Sequence, residues 1–281
     1  MSTSSTKNPT TGWTTAAAGL LLLMLGAGCS QPVPTTLQVQ PTYKGAPVGC
    51  GDVLSLDDKR QFRLTDLRLF VHDVRVDGDK VVFASSDVAQ PHVALLTPLS
   101  APCPTTALSP QLQLPASVVG KAAKLQLTVG VPFDDNHANP AIAQPPLKGT
   151  AMHWSWQAGY KFVRLEGHIL DDNGQKTAPA RVHIGSTACQ GPMSAVSHCD
   201  QPNRPRVALD VVVAKDAPLV LQLPLDQLVV PTAGDPKPGC MGGVDDVGCP
   251  PVLQAVGLDV RTGQALTTWA STQAASVGRT P

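Results

Sequence analysis

Residues 125–131 read LQLTVGV and residues 207–213 read VALDVVV, so both stretches carry an apolar residue at every second position. A third stretch, LVLQL at residues 219–223, keeps the same spacing. A period of two places the apolar side chains on one face of an extended strand, whereas a helix repeats at a longer spacing. These stretches therefore predict β-strands that each bury one face.

Shorter strand candidates are spread over the chain, at residues 81–84, 93–96, 160–169 and 181–185. Residues 64–76 (LTDLRLFVHDVRV) predict either two strands or one bulged strand because of their β-branched content. The 27 Pro and 24 Gly residues oppose long helices, and at most residues 225–230 form a helical turn. We predict an all-β protein, an antiparallel β-sandwich with long disulfide-stapled loops, with a small barrel as the alternative.

The composition excludes several classes of protein. Hydrophobic residues make up 42% of the 281 residues and charged residues only 15%, a balance that argues against disorder. Lys and Arg together number 21, as do Asp and Glu, so no excess of positive charge is available to neutralise nucleic-acid phosphates. We therefore expect a folded protein that does not bind nucleic acid.

The N-terminal region predicts export and a lipid anchor. Residues 14–25 (TTAAAGLLLLML) are too short to span a bilayer and are typical of a signal-peptide core. They lead into LGAGCS, which is similar to a bacterial lipoprotein cleavage site, so we predict a signal peptide over residues 1–28 and a lipid on Cys29. The alternative is ordinary cleavage with Cys29 unmodified. Pro-rich residues 29–48 predict a tether from a membrane, in the periplasm or at the cell surface, to a domain over residues 49–281.

Export places the cysteines in an oxidising compartment, where disulfides form. Setting Cys29 aside leaves six, an even number that fits three disulfides. Short separations along the chain suggest the pairs Cys189–Cys199 and Cys240–Cys249. Cys50 and Cys103 would then form the third pair by default.

The densest group of reactive side chains lies in residues 130–167. An acidic segment, DDNH at residues 134–137, is followed by Trp154 and Trp156, which a strand would place on one face with His153 on the other. The simpler interpretation is a solvated turn followed by core tryptophans. We rank calcium binding by the acidic segment below copper binding by histidines, which the next residues suggest.

Imidazole groups provide the candidate metal ligands. His183 alternates with Val182 and Ile184, so a strand would turn it to the opposite face from those two. A lone histidine on a strand is more often structural, but His137 and His153 lie in or near the aromatic stretch. Imidazole suits copper and zinc, and two histidines could hold Cu(I) in near-linear geometry.

Motifs of common enzyme classes are missing from the sequence. It contains no G-x-S-x-G, no H-E-x-x-H and no glycine pattern of a P-loop or Rossmann site. No pair of carboxylates has an acid–base setting. We therefore predict a protein that is not an enzyme.

Several motifs in a fixed order resemble the MbnP family, the four-cysteine partner of the "metallo-mystery pair". They are LRLFVHDVR (residues 67–75), VALL (93–96), GVPF followed by NH and Pro140 (130–140), MHWSWQAGYKF with LEG (152–167), HIGSTAC (183–189), Cys199, CM (240–241) and Cys249. The resemblance covers most of the chain from about Val53 onward, and its specificity comes from the order and combination of motifs.

The resemblance implies an exported copper-binding protein of copper homeostasis. Members are typically paired with a dihaem MauG-like cytochrome c peroxidase of the MbnH type, which oxidises a tryptophan of the copper protein to kynurenine. The metal is held by two histidines with the kynurenine near or at the site. Carried over to this chain, the ligands are His137 and His183, and the modified residue is Trp154 or Trp156, with Trp154 preferred.

His153 takes a position where the family more often has an aromatic residue, so it is either an additional ligand or a surface substitution. Two other functions compete with copper binding. The first is a structural or interaction lipoprotein in which the tryptophans are core residues and the histidines are incidental. The second, ranked lower, is a metal-dependent enzyme, which would need an open coordination position beside a substrate pocket.

Overall fold

The computed structural model describes residues 1–4, 31–57, 59–84, 92–99, 109–154, 159–192, 195–230, 239–243, 245–269 and 272–273. The described strands, numbered in chain order, form two large sheets and one hairpin. The first sheet contains β1 (Val33–Tyr43), β2 (Ala46–Pro47), β6 (Phe83–Ala84), β8 (Gln111–Leu114), β16 (Leu219–Pro224) and β18 (Thr272–Gln273).

The second sheet contains β3 (Val53–Ser55), β4 (Gln61–Val76), β5 (Asp79–Lys80), β7 (Val93–Leu99), β9 (Ala122–Val129), β10 (His153–Trp154), β11 (Gly159–Leu170), β12 (Lys176–Gly185), β15 (Arg206–Val212) and β17 (Gly239–Cys240). The hairpin joins β13 (Thr187–Gln190) to β14 (His198–Gln201). Two short helices, α1 (Phe133–Asn136) and α2 (Cys249–Ala255), and single 3-10 turns at Ala116–Val118 and Leu225–Gln227 complete the described elements. The all-β prediction is confirmed.

Strand β1 corrects the prediction that residues 29–48 form a tether. It lies inside the first sheet, parallel to β16 on one side and antiparallel to β8 on the other. Thr35 and Leu37 are buried and Val39 packs against the core, so an alternating pattern was present. The prolines at positions 34 and 41 concealed this pattern, because they suggest an extended linker by composition alone. Residues 31–281 form one compact unit, so the domain begins before residue 49.

Strand β4 organises the second sheet. It extends over 16 residues and pairs with β3, β5, β7, β9 and β11. Its register with β9 shifts between His72 and Arg75, where Asp73 has a positive φ of 46°. Residues 64–76 are therefore one bulged strand, the second of the two alternatives.

The two large sheets pack face to face. Apolar side chains of both meet in one core, with Leu37 and Leu221 from the first sheet and Leu69, Leu127 and Leu165 from the second. A cavity of about 20 Å³ between the sheets is lined by residues of both, and this volume is close to that of one water molecule. This packing is that of a β-sandwich.

The second sheet is also covered on its outer face at one end. Phe70 of β4 and Phe162 of β11 form a separate apolar cluster with Val131, Met152 and Tyr160. The segment between β9 and β10 is therefore anchored to the sheet by Val131, Leu147 and Met152, while much of the chain between these residues is exposed. This packing fixes the position of the acidic segment and of Trp154, which carry the candidate site.

Two of the expected disulfides lie within the described residues. Cys189 is bonded to Cys199 across the β13–β14 hairpin, and Cys240 is bonded to Cys249. Cys50 is also disulfide-bonded, whereas Cys103 lies outside the described residues.

Helix α2 was not predicted, because residues 234–251 read as an irregular segment. It begins at Cys249 with Pro250 and Pro251 in its first turn, where the missing N–H of proline leaves no helical hydrogen bond unmade. No helix of the described residues is long and apolar enough to cross a membrane.

A half-buried histidine supports the outer cluster. His72 of β4 is hydrogen-bonded through Nδ1 to the carbonyl oxygen of Gly130, at 3.0 Å. Burial lowers the pKa of His72 to about 4; Arg204 and His92 lower it further, while the bond to Gly130 and the nearby Asp73 oppose the shift.

We expect His72 to make stability depend on pH. The unfolded chain takes up the proton near pH 6.5 and the folded chain only near pH 4, so the free energy of unfolding falls as pH is lowered through that window. The loss attributable to this residue reaches up to about 3 kcal/mol. Denaturant unfolding of wild type and His72→Gln at a series of pH values measures it. A wild-type dependence unchanged in the variant would contradict the assignment.

Candidate metal site

His183 lies near the end of β12, on the outer face of the second sheet. Its neighbours Val182 and Ile184 belong to the sandwich core, so His183 points away from that core. It stands opposite Arg164 of β11 in the strand register. Although it is on the outer face, only 4% of the residue is exposed.

The His183 side chain is held by a carboxylate that belongs to a larger ionic network. Its Nε2 lies 2.8 Å from Oε1 of Glu166. Arg164 binds the same carboxylate with two nitrogens, at 2.7 and 3.0 Å. Arg164 also binds the buried Asp66, whose Oδ1 accepts a hydrogen bond from Nε of Arg68 at 2.9 Å. Glu166 is therefore fixed from two sides before any ligand binds.

Electrostatics define the protonation of this pair at neutral pH. The hydrogen bond from His183, assisted by Arg164, lowers the pKa of Glu166 to about 2 despite its partial burial. Burial lowers the pKa of His183, and the nearby Glu166 only partly opposes that shift. The imidazole is therefore neutral. Its Nε2–H donates a hydrogen bond to the ionised carboxylate of Glu166, and its Nδ1 is unprotonated, with a lone pair available to a ligand.

The Nδ1 atom of His183 is buried and has no hydrogen-bond partner among the described residues. Buried polar atoms without a partner are uncommon in folded proteins. Histidines that bind metals typically donate their second ring N–H to a carboxylate, which directs the other nitrogen toward the metal. His183 has this arrangement, so the residues present fit a metal that binds through Nδ1.

Trp154 lies beside this imidazole in a slot formed by two glycines. Its ring centroid is 6.0 Å from that of His183, and the residue is 4% exposed. A Cβ atom at Gly185 would lie 2.9 Å from Cζ3 of the indole, and one at Gly242 would lie 3.1 Å from Cη2. The φ of +82° at Gly242 independently favours glycine. Because these two residues have no side chain, the backbone on both sides can approach the indole closely and hold it in place.

The acidic segment is fastened to the same end of the sheet by Asn136. This residue is 1% exposed, and its Oδ1 accepts a hydrogen bond from the backbone N–H of Tyr160 at 2.8 Å. A Cβ atom at Gly159 would lie 2.8 Å from Nδ2 of Asn136, so glycine permits this close approach. Gly159 is in turn paired with Trp154 in the β10–β11 ladder. A chain of contacts thus joins α1 to Trp154 and, through it, to His183.

His137 directly follows α1 and is half-buried. Its Nε2 lies 3.0 Å from Nδ2 of Asn136 and 3.3 Å from Sγ of Cys199. Its ring packs against Phe133, with centroids 4.8 Å apart. His137 is therefore positioned at the β13–β14 hairpin, which follows β12 directly in the chain.

One nitrogen of His137 and the sulfurs of Cys189 and Cys199 all lie within 4.8 Å of one another. The two sulfurs form a disulfide, and it is the thiolate that binds metals. In the disulfide form this group is therefore not a three-ligand metal site.

Of the remaining predicted site residues, some lie within the described residues and others lie outside them. His153 points to the other side of β10 from Trp154, where its ring lies 5.2 Å from that of Tyr160. In the acidic segment, Oδ2 of Asp135 lies 2.8 Å from Nε2 of His92, so this carboxylate has a partner in the protein. Three predicted residues lie outside the described residues: Cys29, Cys103 and Trp156.

Sequence reasoning missed Glu166 and Asn136, the two residues that position the imidazoles. Glu166 belongs to a motif of the resemblance, but no role followed from it there. Its charge at an alternate position from Arg164 in an apolar strand was the available signal. Its meeting with His183 depends on the β11–β12 register, which the sequence alone does not specify.

The fold and this site define a disulfide-stapled β-sandwich with a buried imidazole–carboxylate pair beside a tryptophan. The model of the MbnP family matches residues 31–242, well over half of the chain, so the chain belongs to the MbnP family. This confirms the resemblance seen in the sequence.

Among solved structures, MbnP from Methylosinus trichosporium is similar to this chain, with a TM-score of 0.64. The two are 24% identical, and the match covers 87% of this chain and 100% of that chain. At this identity the likeness shows the fold. No curated protein matches the chain.

Proposed function

We propose that this protein binds copper through His183 and His137 beside Trp154, and that its role is copper homeostasis without catalysis. The observation that carries the proposal is the buried, unpartnered Nδ1 of His183, whose other ring nitrogen is held by Glu166. If this histidine were purely structural, its buried Nδ1 would stay without a hydrogen bond, which would lower the stability of the fold by about 1–3 kcal/mol. Bound Cu(I) would be a soft acceptor for neutral imidazole nitrogens.

The role of each residue follows from its surroundings. Glu166 holds the imidazole of His183 in one tautomer, and Arg164 keeps that carboxylate ionised and oriented. Asn136 anchors the segment that carries His137. Trp154 closes the site with an apolar ring and limits the access of water.

The proposal includes a maturation step and a location. A dihaem MauG-like cytochrome c peroxidase acts as the partner and supplies the oxidising equivalents that convert Trp154 to kynurenine. The kynurenine then contributes to copper binding or tunes it. The protein is exported and anchored to a membrane by a lipid on Cys29, where the partner and exogenous copper meet it. Membership of the MbnP family supports the proposed role of the protein.

The ionic support of His183 provides the test of the proposal. We expect Glu166→Gln to lower copper affinity by about 10- to 100-fold, because a carboxylate bound to the outer nitrogen of a ligand histidine orients the ring and raises its basicity. Competition with a chromophoric Cu(I) chelator measures the affinity.

A matched control is Asp210→Asn, which removes one charge from a carboxylate that is 85% exposed and paired with Lys124 at 3.5 Å. This variant should bind copper as wild type does. Equal affinities for Glu166→Gln and wild type would contradict the proposed role of His183, and an absence of copper binding in all three proteins would contradict the proposed function.

A further inference from the structure

The hairpin disulfide brings two sulfurs to His137 without itself being able to bind metal. Nε2 of His137 lies 3.3 Å from Sγ of Cys199, and Cys189 completes a group within 4.8 Å. All three residues are half-buried, so solvent reaches them. If the disulfide were opened, this group would offer one imidazole and two thiolates.

The hairpin holds the two cysteines together by contacts other than the disulfide. Cys189 and Cys199 are directly opposite each other in the β13–β14 ladder. The flanking pair is joined by a hydrogen bond from Oγ1 of Thr187 to Oε1 of Gln201, at 2.7 Å. Facing positions in an antiparallel ladder have neighbouring Cβ atoms. The sulfurs therefore stay close together after the bond between them is broken.

The imidazole is fixed independently of the sulfurs. His137 follows the α1 turn, whose Asn136 is anchored to the backbone of Tyr160. Its ring also packs against Phe133. The Nδ2 atom of Asn136, 3.0 Å from Nε2 of His137, is the neighbour that a metal would displace at that nitrogen.

We propose that Cys189, Cys199 and His137 form a second metal site, selective for Cu(I), when the hairpin disulfide is reduced. A dithiol supplies two electrons and two protons: the Cys189–Cys199 bond breaks, two thiols form, and the dithiol becomes a disulfide. Each thiol releases its proton when it binds the metal. Two thiolates and one imidazole are the soft ligand set that favours Cu(I).

The other described disulfide offers a contrast within the same chain. Cys240 and Cys249 are both 0% exposed, and their sulfurs lie 3.3 and 3.2 Å from the backbone nitrogen of Gly242. A dithiol reaches an exposed disulfide more readily than a buried one. Mild reduction should therefore open the hairpin disulfide before the Cys240–Cys249 disulfide.

This site shares His137 with the proposed copper site but does not rest on it, since the cysteines take no part in the latter. A metal bound to the two sulfurs would engage His137, which lies 3.3 Å from Sγ of Cys199, and would compete with the copper that His137 shares with His183. The hairpin disulfide would then regulate where copper is held.

The test uses the full-length His183→Ala protein, so that failure of the proposed function and failure of this site can be distinguished. The protein is treated with dithiothreitol under native conditions, the reductant is removed without oxygen, and Cu(I) is titrated against a chromophoric chelator. Alkylation and peptide mass identify which cysteines have become thiols. X-ray absorption at the copper edge reports whether sulfur is bound.

We expect thiols at Cys189 and Cys199, one Cu(I) with sulfur ligands per reduced chain, and no such binding by the oxidised chain. The double variant Cys189→Ser/Cys199→Ser should abolish it, and His137→Ala should weaken it by at least about tenfold. His198→Ala is the matched control, because this exposed histidine of the same hairpin faces Asp200 and should leave binding unchanged. Persistence of sulfur-bound copper in the double variant, or failure of the reduced chain to bind Cu(I), would overturn the proposal.

Discussion

Replacing His183 with alanine is expected to lower copper affinity by more than about 100-fold. Loss of the group that orients a ligand histidine costs about 10- to 100-fold in metal affinity, so loss of the ligand itself should exceed that range. The fold should persist, because Glu166 keeps its bidentate pairing with Arg164. Competition with a Cu(I) chelator measures the affinity, and circular dichroism verifies the fold.

His168 provides a demanding control for this prediction. It also has a buried Nδ1 without a partner among the described residues, and it lies on β11 of the same sheet. After burial, the main influences that lower its pKa are the cations Lys176, Arg181 and Arg63. A metal would meet positive charge there, so His168→Ala should leave copper affinity unchanged. Equal losses in the two alanine variants would refute the assignment of His183.

The second large effect is expected at Trp154, where stability and copper binding can be separated. Trp154→Ala should lower the free energy of unfolding by about 3–5 kcal/mol, because it empties the slot between Gly185 and Gly242. Trp154→Phe keeps a ring in the slot and should lose only about 1–2 kcal/mol. Chemical denaturation measures both.

The copper affinities of the Trp154 variants should not follow the order of their stabilities. Trp154→Phe cannot become kynurenine, so even after exposure to the dihaem peroxidase its copper affinity should be at least about tenfold below that of the treated wild type. Phe83→Ala is the control for stability, since Phe83 is 3% exposed in the first sheet and belongs to the main core. It should lose stability as Trp154→Ala does and keep its copper affinity. Wild-type affinity in treated Trp154→Phe would contradict a role for Trp154 in binding.

The elements that the sequence predicted well are those with local patterns. The alternating residues of β9, β15 and β16 were recognised because burial on one face imposes a period of two. Strand β1 was missed because its prolines suggest a linker. Its partner β16 also lies far away in the chain, since Leu37 pairs with Leu219. Such a partner cannot be inferred from local composition.

For the candidate site too, the sequence predicted the features that are local in the chain and missed those that depend on tertiary packing. The histidines and Trp154 were predicted because their residue types and their motifs are visible in the chain. The pairing of Glu166 with His183 depends on strand register, and the slot for Trp154 needs Gly242, which comes from a distant segment. These are properties of tertiary packing, so only the structure supplies them.

In the proposed function, His183 and His137 bind copper beside Trp154, and the site matures by oxidation of the tryptophan. The most direct measurement is the copper content of the mature protein together with the peptide mass across residues 152–161, with and without the co-expressed dihaem peroxidase. We predict stoichiometric copper and the mass of kynurenine at position 154 only when the partner is present. Unmodified Trp154 and no bound copper in the presence of an active partner would contradict the claim.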